Sequence, residues 1–471
     1  MKRIFYHPLF FLIIYLAIHA FLRISLSDTL QVDDREQIFY AQSLSWGYEM
    51  PQPPLYSWLS FLLFKILGPN LITLTALKYL LIFASFFYLA KTSRSIFHNR
   101  NFDGLLILSY LLMPSFAWHM HQGFTHTIIL SLAIAMTLNY LIQIFNTPSW
   151  KNYILFGLSV GIGLLSKYSY LIFLTLIAIT LLFSKEYKVF LFNKKIAFSI
   201  LIALLIATPH YLWLIDNWNE IFVMASDRLI GEERINRYEV LFEFLSSSLG
   251  FLTPLIILII FGNIRILMIH KTSKKRRIET FFDNYFLILL IISLFVILSI
   301  DIKEVKVRWL HPLLMVFPFW ALLKIERLKG PTKILKKSFF YLGAFITALV
   351  IIVRIGQTSF NSELGYSGRI NVPIVQSLNK IPEKILQKVS SLYTRDYFLG
   401  PHLFSVFPKK NIRISNKKFY ETNAEQSLCL ILWDDDGYDD NHSLKFKDYS
   451  GKISEGKYTL FYKVSNLIDC Q

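Results

Sequence analysis

Residues 32–59 read VDDREQIFYAQSLSWGYEMPQPPLYSWL. The stretch lies between two apolar segments, yet it opens on Asp33, Asp34 and Glu36 and closes on Pro51-Gln52-Pro53-Pro54. A plain connector needs neither these acids nor the aromatic residues Trp46, Tyr48, Tyr56 and Trp58, rings of the kind that stack on sugar faces or sit at the lipid headgroup level. If the chain is helical from Asp34 onward, Asp33, Glu36, Gln37 and Tyr40 share one face by the i, i+3, i+4, i+7 rule. The plainest reading is a capped helix start beside a solvated turn, since orphan N–H groups there stabilise an acid. The second reading is a carboxylate held in a proline-fixed frame, placed to take a proton from a substrate hydroxyl.

The rest of the chain bears on that choice. Of its 471 residues 54% are hydrophobic, 42 are Phe, and the mean hydropathy is +0.45. Soluble domains hold nearer about 45–50% apolar residues, so the composition points to a polytopic membrane protein. The net charge of +17 does not indicate nucleic acid, because Lys and Arg fall in short clusters between apolar runs. The start, MKRIFYHPLFFLIIYLAIHAFLR, reads as an uncleaved first span. Eleven spans are expected, near 4–24, 71–90, 104–118, 127–145, 153–168, 170–184, 195–214, 246–269, 281–300, 311–324 and 338–356.

Loop charges fit that count. With the N-terminus inside, Lys2-Arg3, Lys91 to Arg100, Asn146 to Asn152, Lys185 to Lys195, 271–279 and Lys324 to Lys337 are cytoplasmic. The outer side receives Asp33, Asp34, Glu36, 216–220 (DNWNE), 231–234 (GEER), Asp301 and Glu304. Residues 1–356 form the transmembrane domain, with a first outer loop at 25–70. Residues 357–471 are polar, with strand-like runs at 411–415, 427–433 and 457–464, and read as a small outer α/β domain. Its Cys429 and Cys470 are too few for a disulfide framework, though a single bridge is open to them outside the cytoplasm.

Other polar residues each carry a bland and a functional reading. His119, His121 and His126, in HMHQGFTHT, match no strong metal-ligand spacing, and a polar cavity contact is the better functional reading. Lys167, in GLLSKYSYLIF, either snorkels to the interface or meets a phosphate at headgroup depth. Lys303, Lys306, Arg308 and His311 fall on the outer side against the charge rule, which suggests an anionic substrate. WDDDG at 433–437 starts like a calcium loop, but nothing downstream completes it. Neither G-x-x-x-x-G-K-[ST] nor G-x-G-x-x-G occurs.

The acidic pair after the first span, followed by Pro53-Pro54-Leu55-Tyr56-x-Trp58-Leu59, resembles the polyprenyl-phosphate-sugar-dependent glycosyltransferases of the GT-C fold. These include protein O-mannosyltransferases and lipid A aminoarabinose transferases. Asp33-Asp34-x-Glu36-Gln37 with Gly47-Tyr48 and QPPLYSWL is more specifically similar to the Rgt-type galacturonosyltransferases of lipopolysaccharide core and lipid A. The resemblance implies an all-α polytopic membrane protein of GT-C type with a periplasmic C-terminal domain, in a bacterial inner membrane. It implies Asp33 as catalytic base, with Asp34 where many members have Glu. Lys167 and Arg308 match basic positions, and Gln52 stands where many members place Lys beside the lipid phosphate. Glu36, Gln37, Tyr40, Tyr56, Trp58, His126 and His311 are expected to line the substrate cavity, His126 standing where many members carry an acid.

The implied activity is transfer of a sugar from a polyprenyl-phosphate donor, the co-substrate, to lipid A, lipopolysaccharide core or another envelope glycan. No resident cofactor is required by these residues, and a divalent metal is left open. Membrane lipids and a glycolipid acceptor are the expected partners. A transporter or flippase of lipid-linked glycans is the alternative; it favours ionisable residues within spans, for which Lys78 and Arg354 are the main candidates. An O-antigen ligase or polymerase is a second alternative, usually marked by a long central outer loop.

Overall fold

The computed structural model describes residues 8–229, 236–260, 274–299, 305–327, 332–359, 371–414, 428–434, 450–455 and 458–466. Lys2, Arg3, 231–234, 271–273, Asp301, Lys303, Glu304, 435–437 and Cys470 lie outside them. The chain divides into two compact units. One holds Met1–Ala17, Ser45–Tyr56 and Lys78–Ile351; the other holds Ile18–Leu44, Ser57–Leu77 and Ile352–Gln471.

The helices run α1 (Pro8–Leu26), α2 (Val32–Tyr40), α3 (Leu55–Leu67), α4 (Leu71–Ile96), α5 (Asn101–Leu111), α6 (Thr125–Asn146), α7 (Trp150–Leu164), α8 (Tyr170–Phe183), α9 (Lys195–Asp216), α10 (Trp218–Leu229), α11 (Arg237–Leu252), α12 (Arg277–Ser299), α13 (Phe317–Arg327) and α14 (Thr332–Ser359). Among the described residues six helical segments are long and apolar enough to cross a membrane: Pro8–Leu26, Leu71–Ile96, Thr125–Asn146, Lys195–Asp216, Arg277–Ser299 and Leu335–Thr358. The expected span at 104–118 is instead the 11-residue α5 and a π-helical turn, Ser115–His119, entered through Pro114. The expected span at 311–324 is a single turn, His311–Leu314, followed by α13. Shorter helices are consistent with spans whose ends are lined by protein. The first outer loop is not a plain loop, since it contains α2 and the apolar 13-residue α3.

In the larger unit α6 lies at the centre, buried along almost its whole length. Its polar residues bond internally: Ser131 donates to the Thr127 carbonyl at 2.7 Å, and Thr137 and Tyr170 hydroxyls meet at 2.6 Å. α7 and α9 approach closely because Gly157 and Gly161 face α9. A Cβ on Gly157 would fall 2.6 Å from the Ser199 carbonyl oxygen, the small-xxx-small geometry of packed membrane helices. Several segments expected on one side of the membrane are joined by charge. Arg276 pairs with Glu326, Lys275 and Lys324 both reach Asp283 (2.7 and 2.8 Å), and Arg277 pairs with Glu186 at 3.4 Å.

The smaller unit is built on a five-stranded mixed sheet of order β2-β1-β3-β5-β4. Its strands are β1 (Val389–Thr394), β2 (Asn411–Ile414), β3 (Leu428–Asp434), β4 (Gly451–Glu455) and β5 (Tyr458–Asn466). β2, β3 and β5 coincide with the expected runs, whereas β1 and β4 were not expected. β1 pairs parallel with β2 and β3, while β5 is antiparallel to β3 and β4. One apolar cluster joins Leu392, Leu430 and Leu460 of the sheet to Leu399 and Leu403 of a helix at Leu399–Val406. Ile38 and Phe39 of α2 and Phe64 of α3 belong to the same cluster.

Candidate active site

Arg23 lies in the last turn of α1, and the chain then runs through Ser27 to Gln31 into α2. Arg23 organises this turn. Its guanidinium donates to the carbonyls of Ser27 and Thr29, each at 3.0 Å, and to Asp34 Oδ2 at 2.7 Å. Both charged side chains are nearly fully buried, 4% and 3% exposed. Asp34 Oδ2 also accepts from the Gln31 N–H at 3.3 Å, as an acid in the first turn of a helix does. Asp34, one of the two acids expected to be catalytic, is therefore a buried partner of Arg23. Its neighbour Asp33 stands about 100° further round the helix and is only partly buried.

The same rotation sorts the rest of α2. The buried residues are Asp34, Gln37, Ile38, Phe39 and Ala41, a face rotated from the expected one. Gln37, expected in a cavity, is fully buried and accepts from the Ser57 hydroxyl at 2.8 Å. Asp33, Glu36, Tyr40 and Trp58 are partly exposed.

His402 completes the frame. Its Nδ1–H donates to the Phe398 carbonyl at 2.7 Å, leaving Nε2 to accept from the Leu30 N–H at 3.0 Å. Burial lowers its pKa to about 3; the Phe398 bond raises it, the Arg35 and Arg23 cations lower it, and Asp34 raises it. The ring is thus neutral at ordinary pH, the form its two bonds require. Thr29 adds a bond to the Val372 carbonyl at 2.9 Å.

In the larger unit, Lys167 sits on the turn between α7 and α8, half-buried, and donates to Thr127 Oγ1 at 2.9 Å. The proline turn is anchored alongside, because the Leu55 N–H donates to the Leu165 carbonyl at 3.2 Å. Gln52 Oε1 is buried and has no hydrogen-bond partner among the described residues. Tyr56 is fully buried, its ring 6.2 Å from that of His126. Lys167, Thr127, Tyr56, His126 and the turn bearing Gln52 are therefore neighbours. Phe124, just before α6, has φ of 69°, an uncommon conformation for a side chain of that size, worth about 1–3 kcal/mol of strain.

His311 is fully buried between Phe116 and Phe251, with Nε2 2.7 Å from Ser131 Oγ on α6. Arg308 is exposed on a 3-10 turn whose entrance is held by Ser247 and Glu243 at Val305. His119 stacks on Phe124, and His121 lies between the hydroxyls of Tyr15 (2.7 Å) and Tyr79 (3.2 Å). No cluster of three His, Cys, Asp or Glu side chains fit for a metal occurs among the described residues. Arg23, His402, Thr127 and Ser131 were missed in the sequence. Only Arg23, a basic residue at the end of the first span, carried any signal.

The ionisable residues that would favour transport have internal partners. Lys78 is buried and donates to the Gln122 carbonyl at 3.1 Å, and Arg354 reaches His19 Nδ1 at 2.9 Å. Cys429 is buried on β3.

Comparison with known proteins adds three findings. Residues 51–213 match the family described as dolichyl-phosphate-mannose-protein mannosyltransferase. The lipopolysaccharide core galacturonosyltransferase RgtB of Rhizobium johnstonii is 27% identical over 365 residues, covering 76% of this chain and 73% of that protein. RgtA of the same organism, also a lipopolysaccharide core galacturonosyltransferase, is 27% identical over 319 residues, covering 66% of this chain and 63% of RgtA. Two crystal structures of ArnT from Cupriavidus metallidurans share the fold. The undecaprenyl-phosphate-bound form aligns with a TM-score of 0.56 over 96% of this chain and 98% of ArnT, at 12% identity. The apo form gives 0.57 over 96% and 97%, also at 12% identity.

Proposed function

We propose that this membrane glycosyltransferase, whose fold is shared with ArnT, moves a sugar from a polyprenyl-phosphate donor to a hydroxyl of lipid A, lipopolysaccharide core or a related envelope glycan. The reaction takes place on the periplasmic face of the bacterial inner membrane. Asp33 accepts the proton of the attacking hydroxyl as its oxygen bonds to the anomeric carbon, with inversion. The bond from that carbon to the donor phosphate oxygen breaks, and the polyprenyl phosphate leaves with the electron pair. Lys167 and Arg308 stabilise the charge that grows on the phosphate, an effect worth about 3–4 kcal/mol for a well-placed donor. Gln52 supplies a neutral polar contact where a cation is common in the family.

The observation that carries this reading is the split within the acidic pair. Asp34 is held by Arg23 at 2.7 Å and buried, which fixes the start of α2, while the adjacent Asp33 keeps partial exposure on that fixed frame. A rigid element bearing a reachable carboxylate is what a general base needs. The activities of RgtA and RgtB support the acceptor class, and the lipid bound to ArnT supports the donor class.

The test is mass spectrometry of envelope lipids from cells with the intact gene, a deletion, and Asp33→Asn at equal protein level. One defined sugar increment should vanish in the deletion and fall at least about 100-fold in Asp33→Asn. An increment that survives Asp33→Asn would remove Asp33 from the role of base.

A further inference from the structure

Away from these residues, the larger unit contains a cavity of about 710 Å³ where the first turn of α1, the end of α4, the start of α5 and the first turns of α14 meet. The volume falls in the range of roughly 300–1,000 Å³ typical of small-molecule sites. Leu9, Leu105, Leu108 and Phe340 give its lining apolar surface, and Arg94, Arg100 and Lys336 supply cations. Asp103 is the one acid among the lining residues. It accepts from the Ser93 hydroxyl at 2.6 Å and lies 3.8 Å from Arg94 Nε. Three cations against one acid leave the lining positive by two charges.

The cations are held in place. Arg100 donates through one guanidinium nitrogen to the Arg94 carbonyl at 3.1 Å, and Lys336 Nζ bonds Asn101 Oδ1 at 2.5 Å. Arg94 and Arg100 belong to the basic segment that closes α4, and Lys336 to the one that opens α14. Both helices are long and apolar enough to span a bilayer, so the basic end of the cavity lies where a span meets its basic loop. A fissure between spans with apolar walls and a basic rim matches one amphiphile: a phosphate headgroup at the rim with acyl chain along the wall.

We infer that this cavity binds an anionic glycerophospholipid of the surrounding leaflet, its phosphate held by Arg94, Arg100 and Lys336 and its chain laid against Leu105, Leu108 and Phe340. The site is separate from the residues proposed for sugar transfer, and its bound lipid serves the fold rather than the reaction.

Native mass spectrometry of the full-length protein, released from detergent after incubation with phosphatidylglycerol or with phosphatidylcholine of the same acyl chains, tests this. The intact protein should retain phosphatidylglycerol in preference to phosphatidylcholine. Retention should weaken about fivefold for each charge removed across Arg94→Gln, Arg100→Gln and Lys336→Gln. Leu108→Trp, which narrows the wall and keeps every charge, should also reduce it, and it carries the test if the charge variants fail to fold. Equal retention of the two lipids, or undiminished phosphatidylglycerol on the triple variant, overturns the inference. So does complete displacement by millimolar inorganic phosphate, which would make the site a phosphate site alone. Asp33→Asn should leave the lipid count unmoved, so this reading and the transfer reading fail separately.

Discussion

Asp33 and Asp34 are chemically identical and adjacent, yet the fold gives them different surroundings. A step of one residue turns a side chain about 100° around a helix, enough to move a carboxylate from a buried ion pair to a partly open surface. Asp34 and Arg23 compensate each other in a place where neither charge is tolerated alone. Arg23→Met should therefore destabilise the protein by about 3–5 kcal/mol, seen as a lowered Tm in detergent. Joining it to Asp34→Leu should restore most of the loss, since no unpaired charge then remains. Asp33→Asn should leave stability within about 0.5 kcal/mol of the parent, with Tm nearly unmoved, while sugar transfer is lost. An equal fall in Tm for Asp33→Asn and Asp34→Asn would show that the two acids are not divided in this way. The same rotation explains Gln37, fully buried against Ser57 although the heptad-like spacing placed it beside Asp33.

At the scale of elements, turns and helix contacts position the polar residues. Lys167 lies in the break between α7 and α8, and the proline turn reaches the same break through the Leu55 to Leu165 bond. The orientation of α7 depends on its glycines meeting α9. Gly157→Leu would drive a side chain into the Ser199 backbone, and an overpacked contact of this kind costs about 1–3 kcal/mol or more. The expected result is lower Tm together with reduced sugar transfer, because α7 leads directly into Lys167. Unchanged Tm and transfer would show that α7 and α9 part without consequence. Apolar runs made these helices legible in the sequence. The places where helices stop short, at Pro114 and around Pro312, were less so, since an apolar run continues across both.

At the scale of the molecule, the smaller unit is assembled from segments far apart in the chain. Leu30 and His402 are 372 positions apart and joined by one hydrogen bond that only the neutral imidazole accepts. The folded-state pKa of about 3 lies below the ordinary value of 6.5, so between these limits the unfolded chain binds the proton and the folded chain does not. This contribution is full above about pH 6.5 and is lost progressively as the pH falls toward 3. Asp34, Arg23 and Arg35 act on the same ring and set its surroundings. Tm measured from pH 7 down to 4.5 should fall more steeply in the parent than in His402→Gln, which has no proton to gain. Parallel slopes would show that His402 does not carry the dependence.

Hydrophobic runs, clustered Lys and Arg, and the paired acids ahead of a proline turn are local properties. The sequence by itself therefore determined the membrane character, most of the long helices, three of the five strands and the segment in which a catalytic acid was to be sought. Only the tertiary structure decided which acid is buried against Arg23, that α2 and part of α3 share a core with the C-terminal sheet, that His402 holds the start of the loop, and that Thr127 is the partner of Lys167. Those outcomes rest on contacts between residues tens to hundreds of positions apart. No periodicity of 3.6 or 2 residues encodes them; they follow from which surfaces the helices and strands bury when they pack.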